Sequence, residues 1–179
     1  MEPTYNDLLN FHGHKCPGLT IGYRMAMAAL AFLGVSRAQD EELVAIVENS
    51  ACGVDALQCL TGCTCGKGNL IFKDYGKQAF TLYNRNTKKA VRATFKFTDI
   101  PEDIRADRNR FIDWLLGARE DQIVDLKEVV IDEPERAKIV NSVVCEFCSE
   151  MVMQTRTQMV NGKTACIPCA RKHQQDQGN

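Results

Sequence analysis

The sequence predicts a protein that mixes helices with antiparallel strands and ends in a small module held by four cysteines. A long apolar stretch of high helix propensity follows a loop rich in histidine and cysteine. Two later segments alternate apolar and polar residues, as half-buried strands do, and the C-terminal part carries two Cys-x-x-Cys pairs. With 179 residues, the chain has room for one domain of common size and a small second one.

Composition narrows the classes of function. The formal net charge of -1 predicts no general attraction to nucleic acid or to an anionic membrane surface. The polar segment Met1 to Asn10 lacks the pattern of a secretory signal, and no apolar run is long enough to span a bilayer, so we expect a cytoplasmic protein. In that compartment nine cysteines indicate metal ligation or thiol chemistry rather than structural disulfides, and such thiol richness suits an anaerobe.

The predicted elements begin with a short helix at Tyr5–Asn10 and a long, largely buried helix at Pro17–Leu33, which Gly34 ends. A continuous apolar run predicts a strand at Glu42–Glu48, and a short helix at Val54–Leu60 follows it. The remaining predictions are strands at Leu70–Lys73, Ala79–Asn84, Ala90–Phe97 and Val129–Ile131 and helices at Pro101–Leu116 and Glu120–Lys127.

A domain boundary is expected where Pro134 and mixed charges interrupt the apolar pattern. We predict a core domain over residues 1–133, a linker over 134–141 and a four-cysteine domain over 142–179. The last residues, Gln174–Asn179, are expected to form a frayed tail.

The four-cysteine domain carries the most specific motif of the chain. Two Cys-x-x-Cys pairs with seventeen residues between them provide a closed tetrahedral shell that fits zinc. An Asn-Gly turn within Met159–Ala165 and a helix from Ile167 to His173 together predict a treble-clef arrangement. The four ligands are Cys145, Cys148, Cys166 and Cys169.

We interpret this zinc as structural, because so short a segment cannot build a core of its own. A rubredoxin-like iron centre would use the same four cysteines. The basic residues of the domain are few and lack an aromatic platform, so a protein contact is favoured over nucleic-acid binding.

The loop Phe11–Gly18 concentrates soft metal ligands just before the long helix. His12, His14 and Cys16 lie within five residues of one another, which predicts metal or redox chemistry. The alternative is a pair of hydrogen-bonded histidines that anchor the helix. Of the two histidines, His14 is the better candidate ligand, because a single residue separates it from Cys16.

A second group of residues is expected to close on this loop and complete one pocket. Cys52 lies near a helix N-terminus, where partial positive charge favours a thiolate. Asp55 would orient a ligating histidine or move a proton; the alternative is that it only stabilises the first turn of its helix. Burial as a small apolar side chain is the alternative for Cys52 and Cys59. Cys63 and Cys65 would also suit a thiol–disulfide pair with the loop cysteine. The group comprises Cys52, Asp55, Cys59, Cys63 and Cys65.

The glycine-rich loop Gly62–Asn69 resembles a phosphate cradle but lacks the Walker spacing. We expect Lys67 and backbone amides to hold a small anionic substrate there. A solvated glycine turn is the alternative.

Three stretches together resemble the FmdE family, which is named for a subunit of formylmethanofuran dehydrogenase: Phe11-His12-Gly13-His14-Lys15-Cys16-Pro17-Gly18, Val54–Leu70 and Lys73–Lys77. The likeness covers about Asp7 to Phe97, and the four-cysteine domain is similar to the zinc finger that many members append. The resemblance implies an α+β core with a mixed five-stranded sheet, thioredoxin-like in layout, a metal-binding active site and a treble-clef finger.

The resemblance also implies a link to a molybdenum or tungsten oxidoreductase that reduces carbon dioxide to a formyl group in methanogenesis. Carried over by position, the site residues are His14, Cys16 and Cys63, with His12, Cys52 and Asp55 nearby. We therefore expect an auxiliary subunit or stand-alone relative whose second zinc keeps one position open for catalysis. A metal-handling or regulatory adaptor and a thiol oxidoreductase are the alternatives. The expected partners are subunits of the dehydrogenase and a second copy of the chain.

Overall fold

The computed structural model describes residues 3–97 and 100–176 and divides the chain into a larger unit that ends at Ala137 and a smaller unit that begins at Lys138. The helices of the larger unit are α1 (Tyr5–His12), α2 (Pro17–Leu33), α3 (Gly53–Thr61), α4 (Glu102–Ala106), α5 (Arg108–Gly117) and α6 (Glu120–Ile123). Its strands are β1 (Leu43–Val47), β2 (Leu70–Phe72), β3 (Ala79–Asn84), β4 (Ala90–Phe95) and β5 (Val124–Val129).

The five strands form one mixed sheet in the order β2-β1-β3-β4-β5. Strand β1 runs parallel to β2, with Ala45 opposite Leu70, and antiparallel to β3, with Ala45 opposite Leu82. The pairs β3–β4 and β4–β5 are also antiparallel. This arrangement confirms the α+β class and the mixed five-stranded sheet.

One face of the sheet carries the main core, because alternate strand residues point towards α2 and α3. Leu82 and Val91 on the strands and Leu19 and Leu57 on the helices are fully buried in the same apolar cluster. Burying side chains of this size stabilises the fold by about 1.5–3 kcal/mol each.

The other face of the sheet is covered in part by the segment after β5. Tyr83 is buried there in a small cluster that Ile131 packs against. The Arg85 guanidinium fixes this segment, since it donates to the carbonyl oxygens of Pro134 at 2.7 Å and Glu135 at 3.1 Å. The prediction that β3 is half-buried is therefore wrong: all six of its residues are buried.

Two glycines let α2 and α3 come into backbone contact. A methyl group built on Gly22 would lie 2.4 Å from both Cα and O of Gly53, a distance that no side chain tolerates. One turn earlier on α2, a Cβ at Gly18 would lie 3.3 Å from Cys52 Cβ. This close packing brings the N-terminal ends of the two helices side by side.

Two predicted elements in the second half of the larger unit differ in the structure. The helix expected at Pro101–Leu116 is broken at Asp107, whose side chain accepts from the N–H groups of Asn109 and Arg110 and so starts α5. The helix expected at Glu120–Lys127 stops at Ile123, because the following residues pair with β4 from Val124 opposite Phe95 onwards. Long-range pairing overrides the local helical pattern there.

The described part of the smaller unit forms two short antiparallel hairpins, a 3-10 turn at Gln154–Arg156 and one α-helix. The hairpins and the helix are β6 (Ser142–Val144) with β7 (Met151–Met153), β8 (Thr157–Val160) with β9 (Lys163–Cys166), and α7 (Ile167–Asp176). Asn161 and Gly162 both have positive φ in the β8–β9 turn, as the Asn-Gly prediction requires. Helix α7 continues past the predicted start of the tail to Asp176, and 177–179 lie outside the described residues.

Candidate metal centres

Four side chains from two segments of the chain meet at the N-terminal ends of α2 and α3. One ligand atom of each lies within 4.8 Å of a ligand atom of every other. We call this set the N-terminal cluster; it comprises His12, His14, Cys16 and Cys52. The structure thus brings the predicted loop together with the first residue of the predicted second group.

The loop between α1 and α2 is shaped by caps at both ends. Helix α1 ends at His12, and Gly13 takes a φ of 89° that turns the chain back. Cys16 then caps α2, where its Sγ accepts a hydrogen bond from the N–H of Leu19 at 3.3 Å. On the outer side, Arg108 donates to the carbonyl oxygen of Lys15 at 2.7 Å and so ties α5 to the loop.

Cys52 enters the cluster from the N-terminal end of α3, opposite Gly18. Its side chain makes no capping hydrogen bond, so the thiol is available to the cluster. Burial, followed by the neighbouring Cys16, raises the pKa of the Cys52 thiol. A bound cation would reverse that effect, because a metal ligand must lose its proton.

Asp55 lies one turn further along α3 and fixes the orientation of His12. Its Oδ2 is 2.7 Å from His12 Nδ1, and His12 Nε2 is 3.7 Å from Cys16 Sγ. Because an ionised carboxylate can only accept, Nδ1 carries the proton and Nε2 presents its lone pair towards the cluster. His12 thus donates one ring N–H to a carboxylate and turns its other nitrogen to the cluster, as metal-bound histidines typically do.

The donor set fits a tetrahedral metal. Zn–S bonds of about 2.3 Å and Zn–N bonds of about 2.0 Å place ligand atoms roughly 3.5 Å apart. The 3.7 Å between Cys16 Sγ and His12 Nε2 meets that spacing, and all pairs are within 4.8 Å. Two thiols and two imidazoles are also the soft donors that favour zinc over hard cations.

The sequence favoured His14 over His12 as a metal ligand, but in the structure His12 is the more firmly held of the two. The His12 side chain is only 10% exposed and is held by Asp55, whereas His14 is exposed. Their rings lie 4.4 Å apart between centroids. His12 is therefore the anchored donor of the pair, and His14 is the accessible one.

Cys63 and Lys67 are not brought to this cluster, which corrects the expected pocket. Both follow the C-terminal end of α3, whereas Cys52 and Asp55 belong to its N-terminal end. Cys63 is fully buried, and burial raises the pKa of its thiol to about 11. Lys67 Nζ donates to the carbonyl oxygen of Asp40 at 2.9 Å, so its ammonium stabilises a turn.

Asn69 holds the glycine loop in shape. The buried Asn69 side chain accepts from the N–H of Thr64 at 2.9 Å and donates to the carbonyl oxygen of Leu43, also at 2.9 Å. Of the remaining predicted cysteines, Cys59 is partly buried and Cys65 is exposed. Within the described residues, neither shares a group of metal donors.

A cleft of about 350 Å³ opens beside the N-terminal cluster. It gives access to two members of the cluster and to the carboxylate that orients His12. Its lining residues are His12, Ser50, Ala51, Cys52, Val54, Asp55, Gln58 and Phe72. We refer to it below as the site cleft.

The predicted zinc ligands of the smaller unit form a second group of donors within 4.8 Å of one another, the finger cluster of Cys145, Cys148, Cys166 and Cys169. Backbone N–H groups, first that of Cys166, lower the pKa of the Cys145 thiol to about 6. The neighbouring Cys166 thiol raises the pKa of Cys169 to about 12. Four thiols this close can all lose their protons only around a cation, which supports a zinc-finger-like motif.

Sequence reasoning missed the glycine packing and the aromatic wall of the site cleft. Gly18 and Gly22 are four residues apart on α2, a spacing that signals close helix approach and could have predicted the position of Cys52. Phe72 gave no signal, because it lies within the short predicted strand Leu70–Lys73 and the local sequence does not show that this strand borders the cleft. Among the described residues, no helix has the length and hydropathy needed to cross a membrane.

The fold and the two clusters define a small protein with an α+β core that carries a group of metal donors and with a zinc-finger-like unit. A family model described as "FmdE, Molybdenum formylmethanofuran dehydrogenase operon" matches residues 11–144, and the chain belongs to this family. The family resemblance read from the sequence is thereby confirmed.

Two known proteins are similar over most of this chain. One is an FmdE-like protein from Syntrophus aciditrophicus, described as like a subunit of tungsten formylmethanofuran dehydrogenase. Its crystal structure matches with a TM-score of 0.70 and 26% identity, covering 91% of this chain and 88% of that one. The other, a probable S-adenosyl-L-methionine-binding protein from Archaeoglobus fulgidus, is 30% identical over 188 residues, covering 89% of this chain. The chain spans about half, 50%, of that relative.

Proposed function

We propose that the N-terminal cluster is an open metal site, with zinc as its ion and with His12, Cys16 and Cys52 as the fixed ligands. His14, being exposed, is the fourth donor that a ligand can displace. The observation that carries this proposal is the set of four donors within 4.8 Å beside the site cleft. The ligand set differs from the expected one, because Cys52 and His12 replace Cys63.

Each residue of the site has a distinct role in this proposal. Asp55 holds the Nδ1 proton of His12, which keeps Nε2 as a donor. The two thiols, each at a helix N-terminus, carry the negative charge that a divalent cation requires. When bound, zinc supplies Lewis acidity towards an oxygen or nitrogen of the ligand. Asp55 also lines the site cleft, where it can accept a proton from a bound molecule.

Family membership supports a proposal for the wider function. We propose an auxiliary role beside a formylmethanofuran dehydrogenase, as an oxidoreductase-associated protein of one-carbon metabolism in an anaerobe. The finger cluster, with structural zinc, would dock a subunit of that enzyme or a second copy of the chain, in the cytoplasm. Family membership and the likeness to the Syntrophus aciditrophicus protein support this proposal.

Metal analysis of the protein purified without oxygen tests the site. We expect about two zinc ions per chain in the wild type, falling to one in Cys16→Ser and in Cys52→Ser. Cys63→Ser is the matched control, because it alters a cysteine outside the cluster and should keep both ions. Equal loss in Cys63→Ser, or two ions in Cys52→Ser, would contradict the assignment.

A second candidate is thiol oxidoreduction, which the proximity of Cys16 and Cys52 favours. Both are free thiols, and their sulfur atoms lie within 4.8 Å of each other. Oxidation by a peroxide or by a small disulfide would remove two electrons and two protons and form one S–S bond. A reversible two-electron potential for this pair in the metal-free protein, with no metal bound in the purified protein, would favour this function over the first.

The same protein samples test two other functions, metal handling and binding of S-adenosyl-L-methionine. A metal-handling adaptor predicts that the N-terminal metal exchanges rapidly with a chelator and that no substrate is turned over. The name of the Archaeoglobus fulgidus relative adds S-adenosyl-L-methionine to the compounds to test by calorimetry. S-adenosylhomocysteine, which has a neutral thioether in place of the sulfonium, is the control for the sulfonium charge.

A further inference from the structure

The site cleft reaches His12 and Cys52, so a molecule in it would adjoin the ligand positions of the N-terminal cluster. We propose that the site cleft takes a neutral or cationic small molecule with a flat apolar part and discriminates against organic anions. This inference rests on the proposed function, since it names the class of ligand for the same site.

The apolar part of the ligand would lie on the wall formed by Phe72 and Val54. Phe72 ends the edge strand β2, and 47% of its surface is exposed. A large aromatic side chain exposed inside a cleft offers a face on which a planar or aliphatic group can stack. The cleft volume of about 350 Å³ is near the lower end of the range for ligand sites, which suits a molecule of one or two rings.

The polar wall of the cleft favours ligands that donate hydrogen bonds. The Asp55 side chain is 39% exposed, and its two oxygens already accept from His12 and from Gln58 Nε2. Each carboxylate oxygen has a further lone pair, so an ammonium, amide or hydroxyl group of the ligand can add a hydrogen bond. Ser50 lines the same cleft and can both donate and accept.

The negative charge of Asp55 is what makes the cleft prefer cations to anions. Of the residues that the structure describes, no lysine or arginine lines the cleft, and Asp55 carries a negative charge. The two thiolates of the cluster neutralise a divalent ion, so the charge of Asp55 remains whether the site is metal-free or loaded. A carboxylate about 4 Å from an ionised ligand changes affinity by about fivefold even at the dielectric constant of water, in opposite directions for a cation and an anion.

The test compares three fragments of nearly equal shape: benzylamine, benzyl alcohol and benzoate. Their dissociation constants are measured by titration of the ¹⁵N-labelled full chain, following the amide signals of residues 50–58, with metal-free and with zinc-loaded protein. We expect benzylamine to bind at least about tenfold more tightly than benzoate, with benzyl alcohol between them. Equal or tighter binding of benzoate to the metal-free protein would overturn the proposal.

Substitutions in the walls of the site cleft test whether the fragments bind there. Phe72→Ala should weaken benzylamine about 3- to 10-fold, whereas Phe32→Ala, which removes a ring that is also 47% exposed but lies on α2, should leave it unchanged. Asp55→Asn should bring the ratio between benzylamine and benzoate close to one. No effect of Phe72→Ala would refute the proposed class of ligand.

The zinc content of the same samples separates this inference from the function on which it rests. A protein that binds two zinc ions but shows no preference among the fragments would disprove the class of ligand alone. A protein that prefers benzylamine but binds only the finger zinc would disprove the metal site while supporting the charge and shape of the cleft.

Discussion

His12 Nδ1 and Asp55 Oδ2 lie 2.7 Å apart, although 43 residues separate them in the chain. This hydrogen bond joins the loop before α2 to the first turn of α3, and it fixes which nitrogen of the imidazole faces the two thiols. The N-terminal cluster thus depends on a residue that supplies no ligand atom to it.

The first prediction concerns that carboxylate. Asp55→Asn should lower the zinc affinity of the N-terminal cluster by about 10- to 100-fold, because an amide holds the required tautomer of His12 less well. The measurement is a titration against a competing chelator. Asp125→Asn, a change on the exposed side of β5, should leave affinity unaltered, and the finger cluster should bind as before in both variants. Unchanged affinity in Asp55→Asn would show that His12 is held by other contacts.

The second prediction concerns the helix contact. Gly22→Ala should destabilise the larger unit by about 1–3 kcal/mol, because the added methyl group meets the rigid backbone of Gly53. This cost exceeds the gain of about 1 kcal/mol in helix propensity. Urea denaturation measures the effect. Gly117→Ala places a methyl group in open space at the end of α5 and should not destabilise the protein.

The third prediction concerns the segment held by Arg85, whose side chain is only 2% exposed. Arg85→Met keeps the apolar volume but removes the guanidinium donor from three carbonyl groups, those of Glu41, Pro134 and Glu135, which should cost on the order of 3 kcal/mol. Limited proteolysis should then cut near Pro134 before the rest of the larger unit. Arg119→Met, which loses only an exposed ion pair with Asp121, is the control and should leave the free energy of unfolding nearly unchanged.

The fourth prediction concerns pH. Two hydrogen bonds from Arg92, at 2.7 and 2.9 Å, hold the pKa of the Glu48 carboxyl below its ordinary value of 4.5. Because the pKa of Glu48 is lower in the folded than in the unfolded state, its ionised carboxylate stabilises the fold at any pH above the unfolded-state pKa. This stabilisation is lost as the pH falls through the folded-state pKa. Glu48→Gln should therefore cost about 1.5–3 kcal/mol at pH 7 and progressively less below pH 4.5.

Unfolding curves of the wild type and Glu48→Gln at several pH values check the fourth prediction. Glu128→Gln on the exposed side of β5 serves as the reference for a generic loss of charge. A constant difference between wild type and Glu48→Gln from pH 7 to pH 3 would contradict the assignment to ionisation.

The fifth prediction concerns the finger cluster. Cys166→Ser, or removal of zinc by a chelator, should unfold the smaller unit, because its fully buried side chains include little more than Cys145, Ala165 and Ala170. Amide signals of the β8–β9 hairpin should collapse while those of β3 and β4 persist. A hairpin that stays folded without metal would show that these few contacts suffice.

Local patterns predicted the elements with strong periodicity and clear ends. Gly34 ends α2 as expected, and Asn161-Gly162 makes the predicted turn. The sequence failed at β5, where charged residues alternate with Val124 and Leu126 but pairing with β4 decides the conformation. Partners that are distant in the chain leave no local signal of this kind.

In the candidate site, too, the local sequence predicted some features and long-range packing decided the others. The soft ligands of the Phe11–Gly18 loop and the orienting role of Asp55 were readable from residue types. The choice between Cys52 and Cys63 was not, because the two cysteines flank one predicted helix and only the packing of α3 on α2 shows which end meets the loop. A helix of nine residues separates the two cysteines by more than a single metal site can span.

The order of the clusters along the chain has a consequence for biosynthesis. All donors of the N-terminal cluster and all five strands of the sheet precede Cys145. Since domains emerge from the ribosome N-terminal part first, the donors of the N-terminal cluster leave the ribosome before any finger ligand does. If both clusters bind zinc as proposed, the core site can take up its ion before the finger cluster has formed.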